Sequence, residues 1–254
     1  MIAYRKRFIS VLEAWGGETP GAPGGVDLVR LFQQPRPADD MVCREFYTIL
    51  LDLRKEAESL LACMKKGTRY EIRRAAEKDE LVYEFWEADD CAQVFEEFCD
   101  YYDEFAAQKG QPKLNRPWLS LMAGTLALSR VRDGGGDGGT LVWHFYYLNG
   151  GRATLLYSAS LFRNSASSAH RNRVGRANRF QHWQDIMRFK EAGLALYDFG
   201  GWYHGADDPE RLGINRFKEE FGGEVVKNYI CERGVTVKGK VFLRLRQALL
   251  GDAI

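Results

Sequence analysis

The sequence predicts an α+β (α/β) fold, a mixed central sheet with flanking helices, preceded by a small N-terminal β extension. Three observations carry this. From Glu80 onward, apolar residues recur alternately at strand and helix spacing, in the order β-α-α-β-β-β-α-β-α-β. Asn149-Gly150-Gly151, set between two strand-like runs, marks a tight hairpin and makes the middle of that order an antiparallel meander. Residues 1–52 hold three further strand-like runs parted by the turn-forming segments GGETPGAPGG and QPRPADD.

The N-terminal strands are expected at Tyr4 to Trp15, Val26 to Gln33 and Arg44 to Leu53. Two helices follow between Leu53 and Lys78, broken near Gly67, with Leu60, Leu61 and Met64 on one apolar stripe and Ile72, Ala75 and Ala76 on the next. Glu80 to Glu87 alternates as a strand. Asp89 and Asp90 are placed to cap the next helix, whose aromatic stripe runs to Gly110, and Pro117 opens another. The meander strands fall near Leu126 to Arg132, Leu141 to Leu148 and Ala153 to Phe162, and a helix over Ala177 to Ala192 leads to a strand at Leu194 to Phe199. A helix near Pro209 to Phe221 and a strand near Val225 to Cys231 complete the run. The domain expected at 53–223 is thus preceded by a partial domain, 1–52, that 224–254 completes. KGKVFLRLRQALL, with its basic face, either docks on the N-terminal strands or touches a membrane surface.

With 45% hydrophobic residues in 254, the chain can bury a core of its own. Its net charge of +1 leaves any electrostatic function to local clusters. Five cysteines show neither CxxC nor Cys/His spacing, so the expectation is a reduced, cytoplasmic protein without a metal site. No apolar run is long enough for a signal peptide or a membrane span.

One segment breaks the neutrality. Between Gly138 and Gln184 there is no Asp or Glu, while Arg152, Arg163, Arg171, Arg173, Arg176 and Arg179 all fall inside. The densest part, His170 to Arg179, is read as the loop entering a helix, where free backbone N–H groups and guanidinium groups together favour a phosphate. The competing reading is a solvated basic helix start whose arginines pair with acids elsewhere. Further along, Asp198 stands at the end of a short strand running into Gly200-Gly201, a place for a ligand-facing carboxylate or for a cap on the bend.

Tyr197-Asp198-Phe199-Gly200-Gly201, followed by Gly213-Ile214 and Phe217-Lys218-x-x-Phe221-Gly222, resembles the Fem aminoacyltransferases and their FemAB-like and CelD-like relatives in the GNAT superfamily. Arg69 to Ala75 and Asn178 to Trp183 are similar to two helices of that group, so the resemblance spans about Arg44 to Gly223. It implies a GNAT-type fold and transfer of an acyl group to an amine. The donor it implies is an acyl-CoA thioester or an aminoacyl-tRNA, and the acceptor an amino sugar or amino acid in cell-wall, envelope or exopolysaccharide synthesis. Lys218 would offset charge on the reacting carbonyl, with Phe217 shaping the site and Asp198 as second catalytic candidate. Trp202, Tyr203, His204 and Tyr157 would line the substrate path. Asn172 to Ala177 is a partial match to the GNAT phosphate loop, which assigns Arg171, Arg173, Gly175, Arg176 and Asn178 to the donor. A non-catalytic phosphate- or nucleic-acid-binding module is the alternative from another class.

Overall fold

The structure is a computed structural model describing residues 1–6, 8–16, 21, 24–135, 138–161 and 167–250, the last two by backbone alone. Arg163 and Phe162, and parts of the glycine-rich segments 16–25 and 133–139, lie outside the described residues. The chain divides into two compact units, one of 1–48, 201–204 and 225–254, the other of 49–200 and 205–224.

The first unit carries strands β1 (Ile2–Lys6), β2 (Ile9–Trp15), β3 (Leu28–Gln34), most of β10 (Glu224–Gly234) and the first part of β4 (Val42–Asp52), in the order β1-β2-β3-β10-β4. β2 and β3 are parallel, and the β1–β2 and β3–β10 pairs antiparallel. Leu12, Val29, Leu31 and Cys231 pack on one face. Ile9, Val11 and Leu28 pack on the other, against Leu243 of helix α7 (Val237–Leu250). Asp27 fixes the start of α7. It accepts from Thr236 Oγ1 at 2.6 Å and from the Ser10 N–H at 2.9 Å, which hold its carboxyl down at about 2. A Cβ on Gly239 would lie 1.8 Å from the Asp27 carbonyl oxygen, so only glycine admits this approach.

The second unit holds β5 (Leu81–Glu87), β6 (Leu126–Asp133), β7 (Thr140–Asn149), β8 (Arg152–Ala159), most of β9 (Leu196–Trp202) and the end of β4, ordered β4-β9-β8-β7-β6-β5. β5 to β8 form the expected antiparallel meander. β8 and β9 are parallel, paired over Arg152–Thr154 and Leu196–Asp198. Alternation divides the meander's side chains between two faces. Trp143, Phe145 and Tyr157 meet α3 (Phe95–Gln108) through Phe98 and Tyr102. Tyr146 and Tyr197 meet Phe189 of α5 (Ser168–Glu191). α1 (Ala57–Cys63), α2 (Lys66–Lys78), α4 (Arg116–Ser120) and α6 (Pro209–Glu219) complete the unit. The mixed sheet and flanking helices match the predicted fold class. Among the described residues no helix is long and apolar enough to cross a membrane.

Several local expectations are corrected. The single strand expected from Tyr4 to Trp15 is the β1–β2 hairpin. The first two helices part at Met64-Lys65, where the Lys65 N–H turns to the Glu220 carbonyl, and Gly67 lies inside α2. Asp89 and Asp90 sit in the first turn of a 3-10 helix (Ala88–Gln93) instead of capping α3. The C-terminal segment, read as alternating before turning helical, is helical throughout Val237–Leu250. The cysteines are not all reduced: Cys43 of β4 and Cys231 of β10 form a disulfide across neighbouring strands. Their separation of 188 residues hides the pair from any spacing rule.

The largest correction concerns α5, which begins at Ser168, nine residues before Ala177, with the Ser167 side chain accepting from the His170 N–H. The arginine-rich segment is therefore helix, and the backbone N–H groups beyond its first turn serve the helix itself. Val174 and Ala177 are buried, while the long arginine stems flank them.

Glycine at two positions gives a contrast that denaturant unfolding can read. Gly222 has φ +78 and a Cβ there would stand 2.3 Å from the Cys63 carbonyl oxygen, whereas Gly213 lies within α6 with its nearest neighbour 4.0 Å away. Gly222→Ala is expected to cost more than about 2 kcal/mol, and Gly213→Ala to stabilise by about 0.5–1 kcal/mol.

Candidate functional site

Lys218 lies on α6, between Phe217 and the turn at Phe221-Gly222. Phe221 is fully buried and packs on Phe199 of β9, with ring centroids 5.1 Å apart. Phe217 meets Phe221 at 5.5 Å and His182 of α5 at 5.5 Å. The element thus inserts two rings into the unit and carries Lys218 in between. Desolvation lowers the Lys218 pKa to about 8, against the opposing pull of the Asp198 charge.

Asp198 is itself wholly buried. Arg152 donates to its Oδ2 through Nε at 2.9 Å and Nη2 at 2.6 Å, and the Gly200 N–H donates to Oδ1 at 2.9 Å. Asp198 therefore caps the bend, one of the two roles its position allowed. Gly200 makes the bend at φ +72, where a Cβ would be 2.6 Å from the Leu155 carbonyl oxygen.

The arginines of α5 are paired. Arg173 donates to Asp133 at 2.8 Å and to the Asp79 carbonyl oxygen, and Arg176 binds Asp79 through Nε at 2.5 Å and Nη2 at 3.0 Å. Arg179 reaches Glu71 at 3.1 Å and Glu220 at 2.9 Å while covering the Phe217 ring at 4.9 Å. A spacing of three residues sets these side chains along one face of the helix, next to the acids that close α2 and β6. These pairs are what the competing reading of the segment expected, arginines matched to acids elsewhere in the chain. Gly175 lies within the helix rather than in a loop, and Asn178 is turned inward, its Oδ1 2.9 Å from His144 Nε2. Of the residues assigned to the donor, Arg171 alone belongs to the first turn of α5, and it is exposed.

Tyr157 is packed among aromatic rings, 5.0 Å from Tyr102 and 5.9 Å from Phe145, and burial pushes its phenol up to about 12. Trp202 and His204 belong to the first unit, as does Tyr203. There the exposed His204 ring stacks on Tyr47 at 4.3 Å, and Trp202 lies 6.2 Å from Tyr47. Glu45 accepts from Tyr47 Oη at 2.7 Å and pairs with Lys227. Among the described residues, no group of three or more His, Cys, Asp or Glu side chains is placed to hold a metal ion.

Sequence reasoning missed the polar network beneath Lys218. Asp185, fully buried on α5, accepts from Tyr83 Oη at 2.8 Å and Tyr146 Oη at 2.6 Å, with His144 Nδ1 at 2.7 Å. An ionised carboxylate only accepts, so Tyr146 spends its one proton there. The 2.7 Å contact of Tyr146 with Tyr197 then makes Tyr197 the donor, and Tyr197 Oη accepts from His182 Nδ1 at 2.7 Å. His182 consequently carries its proton on Nδ1 and keeps a lone pair on Nε2. Its pKa is lowered well below the usual value by burial, then by the charges of His144, Lys218 and Arg179, so the ring is neutral. The signal in the sequence was two histidines and three tyrosines on elements that only the fold juxtaposes.

No family model matches the chain, and no curated protein matches it in sequence. Solved structures do match in fold. FemX superposes with a TM-score of 0.63 at 12% identity, covering 88% of this chain and 75% of its own. The C-terminal domain of a putative lysylphosphatidylglycerol synthetase from Agrobacterium fabrum gives 0.56 at 14% identity, covering 88% and 72%. L-PGS from Bacillus licheniformis gives 0.51 at 12%, covering 90% and 74%. The fold is the GNAT-type, Fem-like fold.

The direction of the buried chain is testable. Tyr197→Phe deletes both the proton given to Tyr146 and the acceptor of His182 Nδ1–H, at an expected cost of about 1–3 kcal/mol in unfolding free energy. In nitrogen NMR of the imidazoles, His182 Nε2 is expected as the unprotonated nitrogen in the wild type and as a mixture of tautomers in the variant.

Proposed function

We propose that this protein is an acyltransferase that moves an acyl group from an acyl-CoA thioester to an amine acceptor, an amino sugar or amino acid. The observation that carries this reading is Lys218, an amine with a pKa lowered to about 8, next in the chain to Phe217, whose ring packs on that of Phe221, on a Fem-like fold. In the reaction, the amine nitrogen attacks the thioester carbonyl carbon. The C–S bond breaks, the new C–N bond is an amide, and the amine's proton ends on the thiol. Negative charge passes through the carbonyl oxygen on the way. A fixed ammonium facing that oxygen in a dry site contributes about 3 kcal/mol or more.

Asp198 supports this role through its field, which favours the charged form of Lys218. With its oxygens engaged by Arg152 and Gly200, it serves as a positioning group rather than a proton acceptor. The donor's phosphates are assigned to the mouth of α5, where the helix dipole favours anions, although the N–H groups of His170 and Arg171 already donate to Ser167. Arg173 and Arg176 hold α5 against its neighbours. The pathway is cell-envelope or exopolysaccharide synthesis. A second reading, aminoacyl-tRNA as donor, is favoured by the likeness to FemX and uses the same lysine.

Titration calorimetry with coenzyme A and native mass spectrometry separate the two carriers, because retained coenzyme A supports the first and retained tRNA the second. In a transfer assay with a panel of amines, Lys218→Ala is expected to lower kcat by about 100-fold, corresponding to the oxyanion contribution. The ammonium form prevails below pH about 8 and is lost above it. Wild-type activity should therefore fall as pH rises through about 8, while residual activity of Lys218→Arg should stay level. Stability has the opposite sign. The unfolded chain binds more protons than the folded one between about 8 and the usual lysine value of 10.5, so the burial penalty is relieved as pH rises through that window. Lys218→Met should thus stabilise more at pH 7 than at pH 10.

A further inference from the structure

Helix α7, in the first unit, turns Gly239, Phe242, Leu243 and Arg246 toward the strands. Its outer face is unusual for a surface helix. Val237 is 79% exposed, Val241 49% and Leu245 58%. At roughly 100° per residue these three and Ala248 fall within an arc of about 80°. Lys238 borders the arc on one side, Arg244 and Lys240 on the other. Phe8, 54% exposed, leans its ring on Phe242 at 6.2 Å and widens the apolar surface.

The charges on the helix that carries this stripe are of one sign. Val237–Leu250 contains no acidic residue. Of the nearby acids, Asp27 is engaged by Thr236 and Lys238 and Glu232 by Arg30 and Arg246, while Asp40 lines a cavity together with Lys240. Among the described residues no carboxylate pairs with Lys240 or Arg244, and Arg5 and Lys6 on β1 are exposed as well. An apolar stripe edged by Lys240 and Arg244 on one side and by the Asp27-paired Lys238 on the other matches the layered chemistry of an anionic bilayer, with hydrocarbon below and phosphate above. A nucleic acid would leave the aliphatic stripe in water. A second copy would bring like charges together, over a stripe of a few side chains where a stable interface needs roughly 800 Å² per partner.

We infer that the outer face of α7, with Phe8, is a peripheral docking surface for an anionic lipid bilayer. Val237, Val241, Leu245 and Phe8 enter the interface, and Lys240 and Arg244 lie at the level of the lipid phosphates. The inference is independent of the transferase reading, because it rests on the outer face of α7 and on Phe8, and none of the residues assigned to transfer is among these.

Cosedimentation of the full chain with vesicles tests it. Binding is expected to vesicles of phosphatidylglycerol and phosphatidylcholine at low salt. It should be lost on pure phosphatidylcholine and weakened at high salt. Lys240→Gln with Arg244→Gln should lower the partition coefficient about 25-fold, at about fivefold per charge. Leu245→Ser should lower it about tenfold. All three positions are exposed, and circular dichroism confirms that the variants keep the fold. The inference is overturned if anionic and neutral vesicles bind alike, if neither binds, or if the variants partition as the wild type does. It is equally overturned if the wild type forms a concentration-dependent dimer that Leu245→Ser abolishes, which would assign the stripe to a second copy.

Discussion

A buried carboxylate has to find all its donors inside the protein, and Asp185 meets that demand with Tyr83 from β5, Tyr146 and His144 from β7, on a helix three residues beyond His182. Leaving such a charge unpaired would cost several kcal/mol, so β5, β7 and α5 are held in one arrangement. The position of α5 follows from this, and with it the location of the three arginines, the neutral His182 and the ring cluster that carries Lys218.

The same demand explains why the arginines of α5 are committed. With the helix fixed by its inner face, Arg173, Arg176 and Arg179 are set beside Asp79, Asp133, Glu71 and Glu220, and each partly buried guanidinium gains more from a carboxylate at hand than from solvent. What looks in one dimension like a reservoir of positive charge is a seam joining α5 to α2, β6 and the end of α6. At the helix mouth it is the dipole that favours an anion, since Ser167 already takes the N–H groups of His170 and Arg171. Lys218 is the reverse case: its cation is kept in a poorly solvated place with Asp198 as a distant counter-charge. Holding a cation there is a cost to the fold, and such costs concentrate at sites of function.

The first unit solves a different problem. Its sheet buries Glu13, Arg30 and Glu232 as a chain of ion pairs, which Arg246 from α7 extends. Together with Asp27 at the start of α7, these contacts fix which side of the helix faces in. The apolar outer face is therefore imposed by the polar interior, and Val237, Val241 and Leu245 have no alternative packing within the strands they leave behind.

Local chemistry determined a good deal of this protein by itself. The hairpin at Asn149-Gly150-Gly151, the alternation in β5 to β8 and the glycine-aromatic run around Phe217 to Gly222 are short-range signals, and each appears in the structure where the sequence placed it. The resemblance carried by Phe217-Lys218 led to the lysine with the lowered pKa. Tertiary structure alone decided the rest. Whether HRNRVGRANR is a loop or a helix depends on acids 40 to 108 residues away, because its long polar side chains satisfy either state until partners are present. The cysteine pair and the Asp185 to His182 chain likewise join residues whose separation carries no periodic trace. Periodicity records which face of an element is apolar, whereas the pairing of buried polar groups is settled only when the elements meet.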